Sequence, residues 1–135
     1  GTDSVASNNS LNFFEEMKVF ALASKMYYQD PTAVTPRQTL LAATRNGALA
    51  QGREDCGLVK EGFRADLLVV DIDQPNMNPV HNMLNNLVYS ASGTDICLTM
   101  ADGKVLYENG SYPTLDLEKT IAEANAATRR ILAAL

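Results

Sequence analysis

Gly57-Leu58-Val59-Lys60-Glu61-Gly62-Phe63-Arg64-Ala65-Asp66-Leu67-Leu68-Val69-Val70-Asp71 is the stretch on which the fold turns. Its second half, Ala65 to Asp71, sets four consecutive apolar residues between two acids. It reads as a strand, and the unbroken apolar centre predicts burial on both faces. Gly57 and Gly62 punctuate the approach to it. Further on, Ile96-Cys97-Leu98-Thr99-Met100 and Lys104-Val105-Leu106-Tyr107 read as two more strands joined across Asp102-Gly103. Both residues of that pair tolerate positive φ, which is what a tight hairpin needs. Leu87-Val88-Tyr89 reads as another short strand, while Pro75, Asn76, Asn78 and Pro79 make the stretch before it a loop. Asp116 caps a closing helix whose apolar positions are Leu117, Ile121, Ala124, Ile131 and Leu135.

Upstream of Gly52 the pattern is helical. The first ten residues, GTDSVASNNS, are small and hydrogen-bonding, which is loop chemistry. Asn12 is placed to cap a helix running to about Tyr28, with Glu15 three positions on to complete a capping box. Phe13, Met17, Phe20 and Leu22 give that helix a broad apolar face, and a well-buried helix is expected. Thr35-Pro36-Arg37-Gln38 starts a second helix: a cap, a proline that needs no N–H partner, and a box-closing glutamine. Asn46-Gly47 is expected to stop or kink it, with a short helical turn from Ala48 to Gln51 after it.

Composition excludes several function classes. Of the 135 residues 46% are hydrophobic and 20% charged, which argues against disorder. Acids outnumber bases 16 to 11 for a net charge of -5, so no basic surface exists to neutralise nucleic-acid phosphates. No apolar run approaches the roughly 20 residues that span a bilayer, and no membrane role is expected. Cys56 and Cys97 make no disulfide framework, which suits a reducing, cytoplasmic setting. The front fifty residues carry four acids and four bases, so the negative charge belongs to the remainder.

The chain has one histidine, His81, and so any self-contained site has to be built mainly from carboxylates and hydroxyls. Asp3, among Gly1, Thr2, Ser4, Ser7, Asn8 and Asn9 just before a helix, can ligate a metal or carry a proton. A turn aspartate bonding to local amides is the plainer reading of the same residue. His81 reads as a surface-loop residue, Cys56 and Cys97 as small apolar residues, and Asp66 as a structural hydrogen-bonding residue. Gly57 and Gly62 lack the spacing and the Lys-Ser/Thr ending of a phosphate loop. A hydrolytic zinc centre needs three or more protein ligands, and only Asp3 offers itself.

Taken together, Gly1-Thr2-Asp3-Ser4 with Ser7-Asn8-Asn9, then Phe14-Glu15-Glu16-Met17-Lys18, resembles the C-terminal part of the metal-dependent amidohydrolases. Leu40-Leu41-Ala42-Ala43-Thr44-Arg45-Asn46-Gly47-Ala48, the stretch from Gly57 to Asp71, Leu87-Val88-Tyr89-Ser90-Ala91 and Asp102-Gly103-Lys104-Val105 extend the likeness over nearly the whole chain. Within that superfamily the chain is most similar to the 5′-methylthioadenosine/S-adenosylhomocysteine deaminases. Triazine chlorohydrolases and guanine deaminases share much of the same tail.

The resemblance implies an α/β fold: the last strand and helices of a (β/α)8 barrel, part of a small β-sandwich domain, and a C-terminal helix. Residues 1–53 become the end of the barrel, 54–112 part of the composite β-domain, and 113–135 the closing helix. Asp3 matches the aspartate that binds the metal and moves the proton; Ser7 matches a hydroxyl near the nucleoside. The cofactor implied is one divalent ion, zinc or iron, and the substrate a small purine nucleoside. A homo-oligomer of the full-length enzyme is implied as well. The family's His-x-His pair, further histidines and catalytic glutamate have no counterpart here, so a C-terminal segment inactive by itself is expected. A non-catalytic docking module is the alternative from another class.

Overall fold

The computed structural model describes residues 1–135 throughout. Helix α1 spans Phe13–Tyr28, α2 Pro36–Leu41 and α3 Gly47–Ala50, with a π-helical turn over Ala42–Asn46 between the last two. Strand β1 is Leu67–Val70, followed by α4 at Met83–Tyr89, β2 at Ile96–Ala101, β3 at Lys104–Glu108 and α5 at Leu117–Leu132. Short 3-10 turns at Pro75–Met77 and Gly93–Asp95 flank α4.

Helices α1, α2 and α4 pack against one another and form one apolar centre. Phe14, Met17 and Ala21 of α1, Thr39 of α2 and Val88 of α4 are buried there. The Thr35 box closes α2 as expected: the Gln38 N–H donates to Thr35 Oγ1 at 3.3 Å, and the Thr35 N–H donates to Gln38 Oε1 at 2.8 Å. At α1 the box does not form. Asn12 Oδ1 accepts from the Phe14 N–H at 3.2 Å, but Glu15 turns away and accepts from the Ser10 hydroxyl at 2.8 Å.

Three readings of local pattern are corrected. Leu87-Val88-Tyr89 lies in α4, not in a strand. Asn82 caps this helix by accepting from the Asn85 N–H, and burying Val88 against the neighbouring helices outweighs the β preference of a single branched residue. Of the two outcomes read for Asn46-Gly47, the stop does not occur: the helix is interrupted by a π turn that ends at Asn46, and the short helical turn expected after it forms as α3. Gly47 keeps right-handed helical angles, the π turn widens the helix, and the end comes at Gln51, before Gly52 with φ +72°.

The third correction concerns burial. Leu68 and Val69 of β1 are 55% and 48% exposed, because no helix lies across the sheet. On α1, Phe13, Val19, Phe20 and Leu22 are exposed as well.

The sheet runs β1-β2-β3, antiparallel throughout, with Leu67 opposite Met100 and Leu98 opposite Glu108. Asp102 and Gly103 take φ of +50° and +77° and close the β2–β3 hairpin as read from the sequence. Asp66 is structural, also as expected: its Oδ1 accepts the Asp102 N–H at 2.7 Å and pins the hairpin turn to the start of β1. Buried Asp95 has a comparable role, with Oδ2 accepting from Asn76 Nδ2 at 2.7 Å and from the Ser92 N–H at 2.8 Å. Helix α5 begins at Asp116, whose Oδ1 accepts the Lys119 N–H, and it buries no residue.

Three carboxylates held below their usual pKa lead to an expected loss of stability in acid. The hydrogen bond from Arg64 Nε, at 2.9 Å, holds Asp55 below the usual carboxylate range. Asp30 is lowered chiefly by the Thr32 hydroxyl, and Asp71 chiefly by the Asp73 N–H. A carboxyl whose folded pKa lies below its unfolded value stabilises the fold fully above the unfolded value and ceases to as pH falls through the folded one. Unfolding midpoints are therefore expected to drop as pH falls below about 4. Asp55→Asn should flatten that acid limb in a thermal melt series; an unchanged slope excludes the Asp55–Arg64 pair as a contributor.

Candidate functional site: the loop that carries Asp3

Residues 1–12 form an irregular loop that feeds α1. Asp3 is exposed and adopts φ +60°, a left-handed angle that costs an L residue about 1–2 kcal/mol and that aspartate accepts more readily than most. Such outliers concentrate at functional sites. Its Oδ1 accepts the Ser4 N–H at 2.7 Å, which fixes the carboxylate against its own backbone. Oδ2 accepts no hydrogen bond within the chain.

The next residues form a single tight turn. The Ser4 carbonyl accepts from the N–H groups of Ser7 at 3.0 Å and Asn8 at 2.8 Å, and Ser4 Oγ accepts the Ala6 N–H at 3.0 Å. Ser7 is exposed on this turn. Side chains then tie the turn to α1: Asn8 Nδ2 donates to Glu16 Oε1 at 2.6 Å, and Ser10 Oγ donates to Glu15 Oε2 at 2.8 Å while accepting the Asn12 N–H. Glu16 also lines a shallow hollow with Gly1, Phe13, Met17, Phe20 and Thr39. This tethering is absent from the sequence reading, which gave Glu15 a capping role and Asn8 none. The signal that could have found it is an amide eight residues before an acid in the first turn of the helix.

The other candidates lie elsewhere. His81 is exposed in the loop before α4. Cys56 is buried with Sγ near Asp55 Oδ1 and Asp66 Oδ2, at 3.5 and 3.7 Å, and burial pushes its thiol pKa up, away from nucleophile chemistry. Cys97 donates to the Val69 carbonyl. No three His, Cys, Asp or Glu side chains come together in a group that could hold an ion. Structural and catalytic zinc sites take three or four protein ligands, so Asp3 fits as one member of a donor set and not as the set itself. A carboxylate oxygen is among the ligands that zinc accepts, and Asp3 offers one.

Comparison with known proteins gives this arrangement a setting. The profile of the amidohydrolase family matches residues 1–106. A 5-methylthioadenosine/S-adenosylhomocysteine deaminase of Dictyoglomus thermophilum is 44% identical over 124 residues, which is 92% of this chain and 29% of the relative. A 5′-deoxyadenosine deaminase of Methanosarcina mazei is 44% identical over 133 residues, 98% of this chain and 31% of the relative. The crystal structure of an adenosine deaminase from Xanthomonas campestris with bound zinc superimposes with a TM-score of 0.95 at 34% identity, over 98% of this chain and 30% of that one. Thus the chain spans about three tenths of the length of the relatives it matches. With its family profile running from the Asp3 loop through the β2–β3 hairpin, this chain belongs to the amidohydrolase family.

Proposed function

We propose that the chain is the C-terminal part of a metal-dependent hydrolase that deaminates a purine nucleoside derivative of the methylthioadenosine or S-adenosylhomocysteine type. The observation that carries this reading is the set of relatives named as deaminases of such adenosines, 41 to 46% identical over 92 to 98% of the chain. The shape of the chain supports it too. Only eight of 135 residues are buried, which suits a segment of a larger protein: no strand forms in residues 1–53, so these supply the loop and helices that end a (β/α)8 barrel, 54–112 part of a composite β-domain and 113–135 the closing helix.

Asp3 is assigned two tasks, metal ligand and proton carrier. When bound, a divalent ion lowers the pKa of water and withdraws charge from the ring under attack; zinc is favoured by the adenosine deaminase solved with that ion. Asp3 takes one proton from the attacking water, whose oxygen bonds to the ring carbon that bears the exocyclic amine. The same carboxyl then returns the proton to the amine nitrogen, the carbon–nitrogen bond breaks, and ammonia leaves. The Ser7 hydroxyl, exposed on the turn beside Asp3, is assigned a hydrogen bond to the nucleoside.

A second reading, hydrolytic dechlorination of a triazine, is favoured by the likeness to a triazine hydrolase variant, with a TM-score of 0.81 at 30% identity. Both are tested in the full-length polypeptide that carries residues 1–135, by following ammonia release from methylthioadenosine and chloride release from a chlorotriazine. Ammonia release is the expected result. Chloride release without ammonia overturns the deaminase reading in favour of the second.

A further inference from the structure

We propose that Asn8 and Glu16 form a clamp that positions Asp3; the inference rests on the assignment of Asp3 to the chemistry made above. Asp3 lies in an exposed loop, in a left-handed conformation that a loosely held segment would leave readily. Two links hold it. Locally, the Ser4 carbonyl is bound by the Ser7 and Asn8 N–H groups, so the residue next to Asp3 moves only if the whole turn moves. The turn is fastened in its turn by the Asn8 side chain, which donates to Glu16 Oε1 at 2.6 Å and accepts the Ser10 N–H through Oδ1 at 3.3 Å.

Glu16 is a firm anchor because its neighbours Phe14 and Met17 are buried in the helical core. Both clamp residues are themselves partly buried, and a carboxylate acceptor makes this hydrogen bond stronger than a neutral one. The Ser10–Glu15 bond is exposed and lies nearer the helix cap than Asp3, so it serves helix entry more than the site. Asn8 and Glu16 are thus positioning residues. Their worth follows from geometry: misplacing a reacting group by about 1 Å can cost about a hundredfold in rate.

Asn8→Asp in the full-length polypeptide tests the clamp by setting two carboxylates against each other across this contact. Near neutral pH they repel and the turn lifts away; in acid the pair shares a proton and the contact closes again. Relative to wild type at the same pH, kcat is expected to fall about 10- to 100-fold with KM little changed. Zinc affinity, read by competition with a chromophoric chelator, is expected to fall with it, and both losses should shrink as the pH drops. The double variant Asn8→Asp with Glu16→Gln exchanges donor and acceptor at the same positions, and it should recover most of the loss at every pH.

A folded Asn8→Asp protein with wild-type zinc affinity and kcat overturns the clamp, and so does a double variant as impaired as the single one. Hydrogen exchange at the Ser7 and Asn8 amides of the metal-free protein separates this inference from the functional reading. If wild type neither binds zinc nor deaminates, the functional reading has failed. Faster exchange in the single variant, reversed in the double, then still upholds the clamp as the device that holds the Asp3 turn.

Discussion

Asp3→Asn in the full-length polypeptide is expected to lower kcat about a thousandfold while leaving the fold intact. The amide keeps the shape of the side chain and still offers an oxygen to the Ser4 N–H, the one hydrogen bond that the Asp3 carboxylate accepts within the chain. Asparagine also tolerates the left-handed angle at this position. Stability should therefore change by no more than about 0.5 kcal/mol, the range of exposed substitutions. What the amide lacks is basicity: it cannot take a proton from water, and as a neutral ligand it holds a cation less strongly. The measurement is single-turnover deamination of methylthioadenosine beside a thermal melt. Wild-type turnover in the variant removes Asp3 from the mechanism.

Gly57→Ala should be the most damaging single change to the fold. Gly57 has φ +79°, and a methyl group there would lie 2.7 Å from Arg45 Cα and 2.9 Å from both Arg45 N and Thr44 O. All three are backbone atoms of the π turn, which has no flexible end to swing aside. The close approach is locked from the other side by Arg45, whose guanidinium donates to the Glu54 and Cys56 carbonyls at 2.8 Å each. A loss of at least about 3 kcal/mol is expected, the sum of left-handed strain and overpacking. Gly62→Ala is the control. Its φ is +80° but nothing stands within 4 Å of the added carbon, so only the dihedral cost of about 1–2 kcal/mol applies. Urea unfolding of the two variants separates the terms; equal losses would show that the π turn yields freely to the methyl group.

That π turn also explains why Asn46-Gly47 misleads. The dipeptide has the chemistry of a helix end, but its neighbours must fit beneath Gly57, and the chain widens the helix there instead of stopping it. Leu87-Val88-Tyr89 misleads for a related reason. Two residues of high β propensity, Val88 and Tyr89, carry less weight than a cap at Asn82 and a buried place for Val88 between helices. The elements that were legible are those whose signal is complete within a few residues: the Thr35 box, the Asp102-Gly103 turn and the Asp116 cap.

The candidate site divides along the same line. Residue chemistry alone favours a turn aspartate bonding to a local amide, as Asp3 does to the Ser4 N–H; Asp3 stands out only because its motif carries the family likeness. Its left-handed backbone and the fastening of its turn to Glu16 depend on how the loop folds back on α1.

The sequence by itself determined helices α1, α2 and α5 with their cap residues and the three strands with their hairpin, because hydrogen-bonding side chains and turn residues act on backbone groups only two to four positions away. Only the tertiary structure decided which apolar faces are covered, where the second helix ends and what holds Asp3 in place. Those outcomes depend on groups brought together from distant positions, and neither residue type nor local periodicity records which surfaces will meet.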